Sequence, residues 1–427
     1  MTGSGRRRVR ARSRRLLGNL RALDGELRLA VGWTLLAALG WWVHSIALAL
    51  IGSLGAVTTA VLYAWQRSCL VGLGYRRSVG ALRANFGDRV SLEIEITNDK
   101  LLPLAWCRIE DVVPAALAIE GVVVGSDQLR SSQLVQLLPI LPYQRVRRRF
   151  TINCTQRGLH EFGPATITSG DPLGLRARSG QAKPIDRLLV YPKIFALAPA
   201  GIVSRVLLGE QRVRFELLQD PSRVAGVRPY RPGDTLRDVD WRSTARCTSL
   251  LVREFDPTVT LRVAIFVDFS ARFAARLVTP PELEFAISVA ASVVVDLAGR
   301  KIATGLYSSG VIDGRPLAFP PSTSPAALPE LLEGLARASS IGRTPFSGLL
   351  LGESGRLARG TSVVVIATDF SEAILLALSE LRRRHSVTAI FVDGDRGRPP
   401  PGELVDGLLR VAFTDDWAER EVLELAR

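Results

Sequence analysis

Residues Leu29 to Gln66 are 38 consecutive positions without a formal charge, and this stretch limits the fold more tightly than any other. One straight helix of that length would run about 57 Å, nearly twice the roughly 30 Å hydrocarbon core of a bilayer. Two short transmembrane spans folded as a hairpin fit better, with the turn near Trp42 to Ser45. Gly52 and Gly55 offer either an alternative turn or a close helix–helix contact. Arginines lie before the stretch, from Arg6 to Arg28, and after it at Arg67, Arg76 and Arg77. The positive-inside rule then places both ends, and the domains beyond, on the cytoplasmic side of the cell membrane. A cleaved signal peptide fits less well, because the apolar run is too long and lacks a small-residue cleavage site. A buried helical pair in a soluble protein is the remaining alternative.

At 427 residues the chain has room for two or three domains. Its formal net charge of +14 raises the question of a nucleic-acid partner. The distribution argues against one: residues 1–28 hold nine arginines against Asp24 and Glu26, so this basic N-terminus supplies +7, half the total. The four cysteines are far apart, with no C-x-x-C spacing, which indicates neither a zinc site nor a disulfide framework. Three histidines without metal-ligand spacing disfavour histidine-based zinc hydrolysis and leave few bases for a triad.

From Tyr75 the hydrophobic period changes to two. Val90–Asn98 alternates strictly and Arg147–Asn153 more weakly, with turn residues between, so residues 75–195 read as an antiparallel β-sandwich. His160 reads as a strand residue, not a ligand, and the arginines at 145 and 147–149 as a solvated face near anionic headgroups. Residues 196–260 form a linker, with one amphipathic stretch at Leu207–Leu218, followed by an arginine- and aspartate-rich motif. Residues 261–427 alternate strands with helices, which predicts a mostly parallel sheet covered on both faces. Strands are expected at Leu261–Val267, Ile302–Tyr307, Ser362–Thr368, Val387–Val392 and Leu409–Phe413. Helices are expected at Pro281–Ala298, Pro325–Ala338, Glu372–Arg384 and Trp417–Ala426.

The motif spans Val224 to Phe255 and interleaves six arginines with Asp234, Asp238, Asp240 and Glu254. Such mixing favours bidentate ion pairs that hold one loop conformation over a smooth cationic face. Two readings stand: a structural clamp, with Asp234, Arg237, Asp240 and Arg246 in a buried or half-buried network beside an anchoring Trp241, or a docking site. The clamp is the preferred expectation. The run Tyr230, Pro232, Gly233, Asp234, Arg237, Asp240, Trp241, then Thr244, Ala245, Arg246, Val252, Arg253 and Glu254, resembles the signature of the domain-of-unknown-function 58 family. Arg157–Leu175 resembles that family's RG-x-x-x-x-GP and DP-x-GL motif, so the likeness covers nearly the whole chain. It implies an immunoglobulin-like sandwich, a von Willebrand factor type A-like C-terminal domain and association with a MoxR-type AAA+ ATPase.

Asp268, Ser270 and Arg272 follow the strand at Leu261–Val267 and resemble the D-x-S-x-S metal loop of type A domains. The resemblance assigns Asp369 to the later acidic position and Thr344 to the intervening threonine. Mg²⁺ takes about six hard oxygens and keeps several waters, so two carboxylates and hydroxyls would suffice. Arg272 stands where a second serine belongs, and a guanidinium cannot ligate; it can instead pair with Asp268 or Asp369. In the plainer reading both aspartates cap helices. The expected function is a membrane-anchored interaction or scaffold protein without catalytic residues. The alternative is a metal-assisted hydrolase using Asp268 and Asp369. No P-loop is present, so any ATPase is another chain.

Overall fold

The computed structural model describes residues 29–119, 125–126, 131–198, 224–232, 234–247, 249–255, 261–269, 280–339, 345–394 and 399–426. The chain divides into two compact units. Met1–Leu82, Arg89–Asn153 and Glu161–Arg187 form the first, and Arg83–Asp88, Cys154–His160 and Leu188–Arg427 the second.

The first unit opens with two apolar helices, α1 (Leu29–Trp42) and α2 (Ile46–Ser68). Among the described residues α2 is the one helix long and apolar enough to cross a membrane. Gly52 is its one buried residue, unlike the core helix of a soluble domain. The chain reverses between the two helices at His44, whose φ of 56° is left-handed, and Ser45 caps α2. The turn thus falls where the sequence places it. Gly52 makes a helix–helix contact instead of a turn: a side chain there would strike the backbone of Ala37, and one at Gly40 the backbone at Leu48 and Ala49. Gly55 lies against the Trp33 ring.

Seven strands follow: β1 (Leu73–Val79), β2 (Arg89–Asn98), β3 (Leu104–Pro114), β4 (Ser131–Ile140), β5 (Arg145–Asn153), β6 (Ala165–Gly170) and β7 (Ala177–Ala182). They form two antiparallel sheets, β1-β2-β5 and β7-β6-β3-β4, each extended by a two-residue strand. In β2 the apolar alternation buries Val90, Leu92, Ile94 and Ile96. Arg145, Arg147 and Arg149 lie against Glu93 and Glu95 of β2, the closest pair being Arg147 Nε to Glu95 at 2.7 Å. The basic run is therefore a mixed-charge face, not a cationic one.

In the second unit a hairpin of β8 (Val224–Pro229) and β9 (Leu251–Phe255) carries the arginine- and aspartate-rich motif. Beyond it lie β10 (Arg262–Val267), β11 (Ala303–Ile312), β12 (Arg315–Ser322), β13 (Ser362–Ala367), β14 (Val387–Asp393) and β15 (Gly407–Ala412). They form one sheet in the order β12-β11-β10-β13-β14-β15, with only β12 antiparallel. Successive residues of β10 feed two cores. Val263, Ile265 and Val267 pack with α3 (Pro280–Gly299) and α4 (Ala327–Arg337). Ala264 and Phe266 pack with α5 (Phe346–Ser354) and α6 (Glu372–Arg382).

Three elements depart from the sequence expectations. β12 holds Pro316, Pro320 and Pro321 and does not read as a strand; it is the sheet's edge, where proline is tolerated. The Asp313-Gly314 turn before it, with φ of 50° and 81°, is the signal that could have found the hairpin. Helix α5 forms where the sequence pattern predicts no helix. The helix expected over Trp417–Ala426 is instead a turn and a short strand, Val422–Glu424, paired in parallel with Ala196–Ala198. Leu423 and Leu425 alternate into the core at 2% and 4% exposure, so the period there is two. The amphipathic stretch at 207–218 lies outside the described residues.

Candidate functional site

The signature hairpin builds itself from local hydrogen bonds. Arg228 grips Asp234 through both terminal nitrogens at 2.8 and 2.7 Å, and the Arg231 N–H donates to the same carboxylate at 2.8 Å. Those donors hold the Asp234 carboxyl well below the usual range, at about 2. Asp240 is an N-cap: its Oδ1 accepts from the Arg242 and Ser243 N–H groups at 3.0 and 3.1 Å and starts the helical turn Trp241–Thr244. The Ser243 N–H first, then the Arg242 N–H and Arg253, depress its carboxyl as well. Thr244 Oγ1 accepts from the Leu251 N–H at 3.0 Å and ties that turn to β9. Tyr230 N–H closes the loop's other side on Leu250 O at 2.9 Å.

The apolar anchor of this loop is Val239 paired with Val252, each 3% exposed. Trp241 is not the anchor, since it stands 64% exposed. Arg237 and Arg246 are exposed too, while Asp234 and Asp240 belong to two separate local ties. The expected network joining all four beside Trp241 is therefore not what the loop forms. Short acceptors satisfy nearby backbone donors at no cost in side-chain reach, and the long arginines are left to solvent. Around them Leu236 is 66% and Tyr230 36% exposed. Pro232 is exposed as well; Gly233 and the Glu254 side chain lie outside the described residues, whereas Arg253 reaches Asp240 at 3.6 Å.

The second candidate location is the carboxyl end of the six-stranded sheet. Asp268 follows β10 and Asp369 follows the neighbouring β13, so the fold brings both aspartates to one end. Ser309 of β11 joins them: its Oγ accepts from the Phe269 N–H at 2.9 Å and donates to Asp268 Oδ1 at 3.4 Å. Ser270, Arg272 and Thr344 lie outside the described residues. No group of three or more His, Cys, Asp or Glu side chains suited to a metal occurs among the described residues. Two carboxylates and a hydroxyl are hard oxygen ligands of the kind Mg²⁺ accepts alongside its waters.

The RG-x-x-x-x-GP motif resolves into two structural jobs. Arg157, 8% exposed at its side chain, donates to Glu284 of α3 at 2.8 Å and to Leu335 O and Ala338 O at 3.1 and 3.2 Å. Its guanidinium also lies 5.7 Å from the Phe269 ring centroid. Gly163, at φ 98°, leaves room for Arg77, whose guanidinium a side chain at 163 would strike. Arg77 in turn donates to Asp111, Asp186, Phe162 O and Pro184 O, and Tyr75 donates to Asp111 at 2.7 Å. Burial and the Asp111 carboxylate push the Tyr75 hydroxyl upward. His160 is buried against Gln156 O at 2.9 Å, a packed strand residue.

The hairpin with its self-satisfied polar loop and most of the sheet that follows it fall within the stretch of chain that a family model matches. Residues 226–411 match the family described as "Protein of unknown function DUF58". It is 25% identical over 304 residues to the "Uncharacterized protein YeaD" of Bacillus subtilis (strain 168), covering 70% of this chain and 71% of that relative. Among solved structures, a β-glucosidase from Listeria innocua in complex with isofagomine aligns at 11% identity and a TM-score of 0.18. That alignment covers 28% of this chain and 16% of the glucosidase. A non-cellulosomal cohesin from Archaeoglobus fulgidus aligns at 13% identity and a TM-score of 0.20, over 27% of this chain and 90% of the cohesin. Likeness at that level carries no argument about this protein.

Proposed function

We propose that this protein is a membrane-anchored interaction scaffold whose signature hairpin docks onto an acidic surface of a protein partner. One observation carries the reading. The hairpin spends its carboxylates on its own backbone and on Arg228, and leaves Trp241, Leu236, Arg237 and Arg246 facing solvent. Exposed aromatic and arginine side chains on a rigid loop are the composition of an interface centre. The six-stranded sheet, read as von Willebrand factor type A-like, and the two antiparallel sheets, read as immunoglobulin-like, are both architectures that host interaction surfaces. The family resemblance supports a MoxR-type AAA+ ATPase as the partner, acting from the cytoplasmic side in assembly or maturation of other proteins.

The test is Arg237→Ala and Trp241→Ala in the full chain, with binding of a purified MoxR-type ATPase and thermal stability measured side by side. An exposed arginine contributes about 0–1 kcal/mol to stability, so the melting temperature of Arg237→Ala should hardly move. Affinity should fall roughly tenfold or more if these residues are interface anchors. A loss of about 3–5 kcal/mol of stability would restore the clamp reading. Unchanged affinity in both variants would sink the docking reading.

A further inference from the structure

Six large apolar side chains stand in solvent at one end of the first unit. They are Val71, Leu101, Leu141, Tyr143, Leu173 and Leu175, exposed at 67, 74, 62, 70, 66 and 72%. The strand directions explain why they share an end. β1 leaves α2 at Leu73 and runs away from it, so β2, antiparallel to β1, returns to the helix end at Asn98. β3 starts from that end at Leu104, and its antiparallel neighbours β4 and β6 come back to it at Ile140 and Gly170. The connections at 69–72, 99–103, 141–144 and 171–176 are therefore neighbours. Backbone bonds join them: Asp99 N–H to Gly72 O at 2.9 Å and Tyr143 N–H to Lys100 O at 3.3 Å. Asn98 Nδ2 reaches both Leu102 O and Leu141 O at 3.0 Å.

This end is also tied to the last turn of α2. Lys100 Nζ donates to Ser68 O at 3.0 Å, to Val71 O at 2.6 Å and to Cys69 O, while Arg178 donates to Arg67 O at 3.1 Å. Cations at a helix C-terminus satisfy its last carbonyls and oppose its dipole. The DP-x-GL loop is held just as firmly. Trp106 Nε1 donates to Asp171 O at 2.9 Å and the Leu175 N–H to Asp171 Oδ1 at 3.1 Å. Its two leucines nevertheless point outward. Among the described residues the opposite end of the unit exposes two large apolar side chains, Leu82 and Ile185, so the asymmetry follows the helix. A loop kept rigid by buried polar bonds while its leucines face water has no folding reason for those leucines.

We propose that these four loops are embedded in the lipid interface where α2 leaves the bilayer, so that the sheet end is seated in the membrane surface and not merely tethered to it. The partner is the bilayer itself, in its headgroup and upper acyl region, at the depth of roughly 5–10 Å that interfacial apolar faces reach. Continuity with α2 identifies it, and Tyr143 suits that layer, with an apolar ring and a polar tip. The proposal rests on α2 crossing a membrane, and the experiment separates the two. Single cysteines are placed at Leu101, Leu173, Ile185 and Leu54 in a Cys247→Ser background; the other three cysteines are buried. Each full-length chain is labelled with an environment-sensitive fluorophore and reconstituted in phosphatidylcholine–phosphatidylglycerol vesicles containing a nitroxide-labelled lipid, shallow for the loop and Ile185→Cys labels and deep for Leu54→Cys. Labels from Leu101→Cys and Leu173→Cys should emit to the blue and be quenched, while Ile185→Cys should emit as in water. If Leu54→Cys in α2 is quenched but Leu101→Cys and Leu173→Cys behave like Ile185→Cys, the proposal fails and the anchor stands. If Leu54→Cys is not quenched either, the anchor fails and takes the proposal with it. Blue-shifted but unquenched loop labels would mean that protein covers this end, which also overturns it.

Discussion

Arg77 is sealed from water together with Asp111, each with a fully buried side chain, and its guanidinium spans two carboxylates and two backbone carbonyls. A charge in that position is sustained only because each guanidinium nitrogen has an acceptor. Arg77→Ala is predicted to cost about 3–5 kcal/mol, since it leaves Asp111 buried without its cation. Chemical denaturation of the full chain measures this. The double variant Arg77→Met, Asp111→Leu should recover part of the loss, because no fully buried charge is left uncompensated; a double variant less stable than either single would contradict the account. Nothing in the sequence around Arg77 marks it out. It looks like another basic residue after a membrane stretch, and its partners lie up to 109 positions away. Asp234 is the opposite case. Its partners are three and six residues away, so an aspartate in a PGD turn beside arginines was legible as a loop lock.

At the scale of elements, the segment around Arg157 is joined to the ends of α3 and α4 by one side chain. Burial raises the Glu284 carboxyl, and Arg157 alone opposes that rise. Without the arginine the carboxylate keeps the burial penalty and loses its cation. The penalty falls on the charged form, so it is present at neutral pH and relieved as pH drops through the raised Glu284 value. Arg157→Ala is therefore expected to lose about 1–3 kcal/mol at pH 7, with the deficit shrinking on acidification. Stability of wild type and variant across pH 4–8, measured by denaturant titration, checks this; a deficit that grows on acidification would reject it. The apolar helices were readable because 38 uncharged residues admit few folds. The strand at Val422–Glu424 was not, because the sequence before it reads as a helix and the pairing partner lies at 196–198.

For the whole molecule, α2 is the helix that can cross a bilayer, and the arginines at 67, 76 and 77 follow it. A reporter fused after Arg427 is predicted to behave as cytoplasmic, whereas alkaline phosphatase activity on the far side would overturn the orientation. The sequence alone determined what depends on neighbours along the chain. The uncharged span, the strict alternation of β2, the apolar run of β10 and the acceptors that start turns at Asp234 and Asp240 are all local events, governed by periodicity and by bonds a few residues long. Only the tertiary structure decided which long side chains were used up. It put Trp241, Arg237 and Arg246 in solvent and gave the anchoring role to Val239 and Val252. It sank Arg77 among acceptors from distant strands, and it gathered Ser309 with Asp268 and Asp369 at one sheet end. The reason is physical: a motif fixes its own backbone bonds, but burial is shared with whatever the fold brings beside it, and that partner is set by strand order and helix packing rather than by the motif.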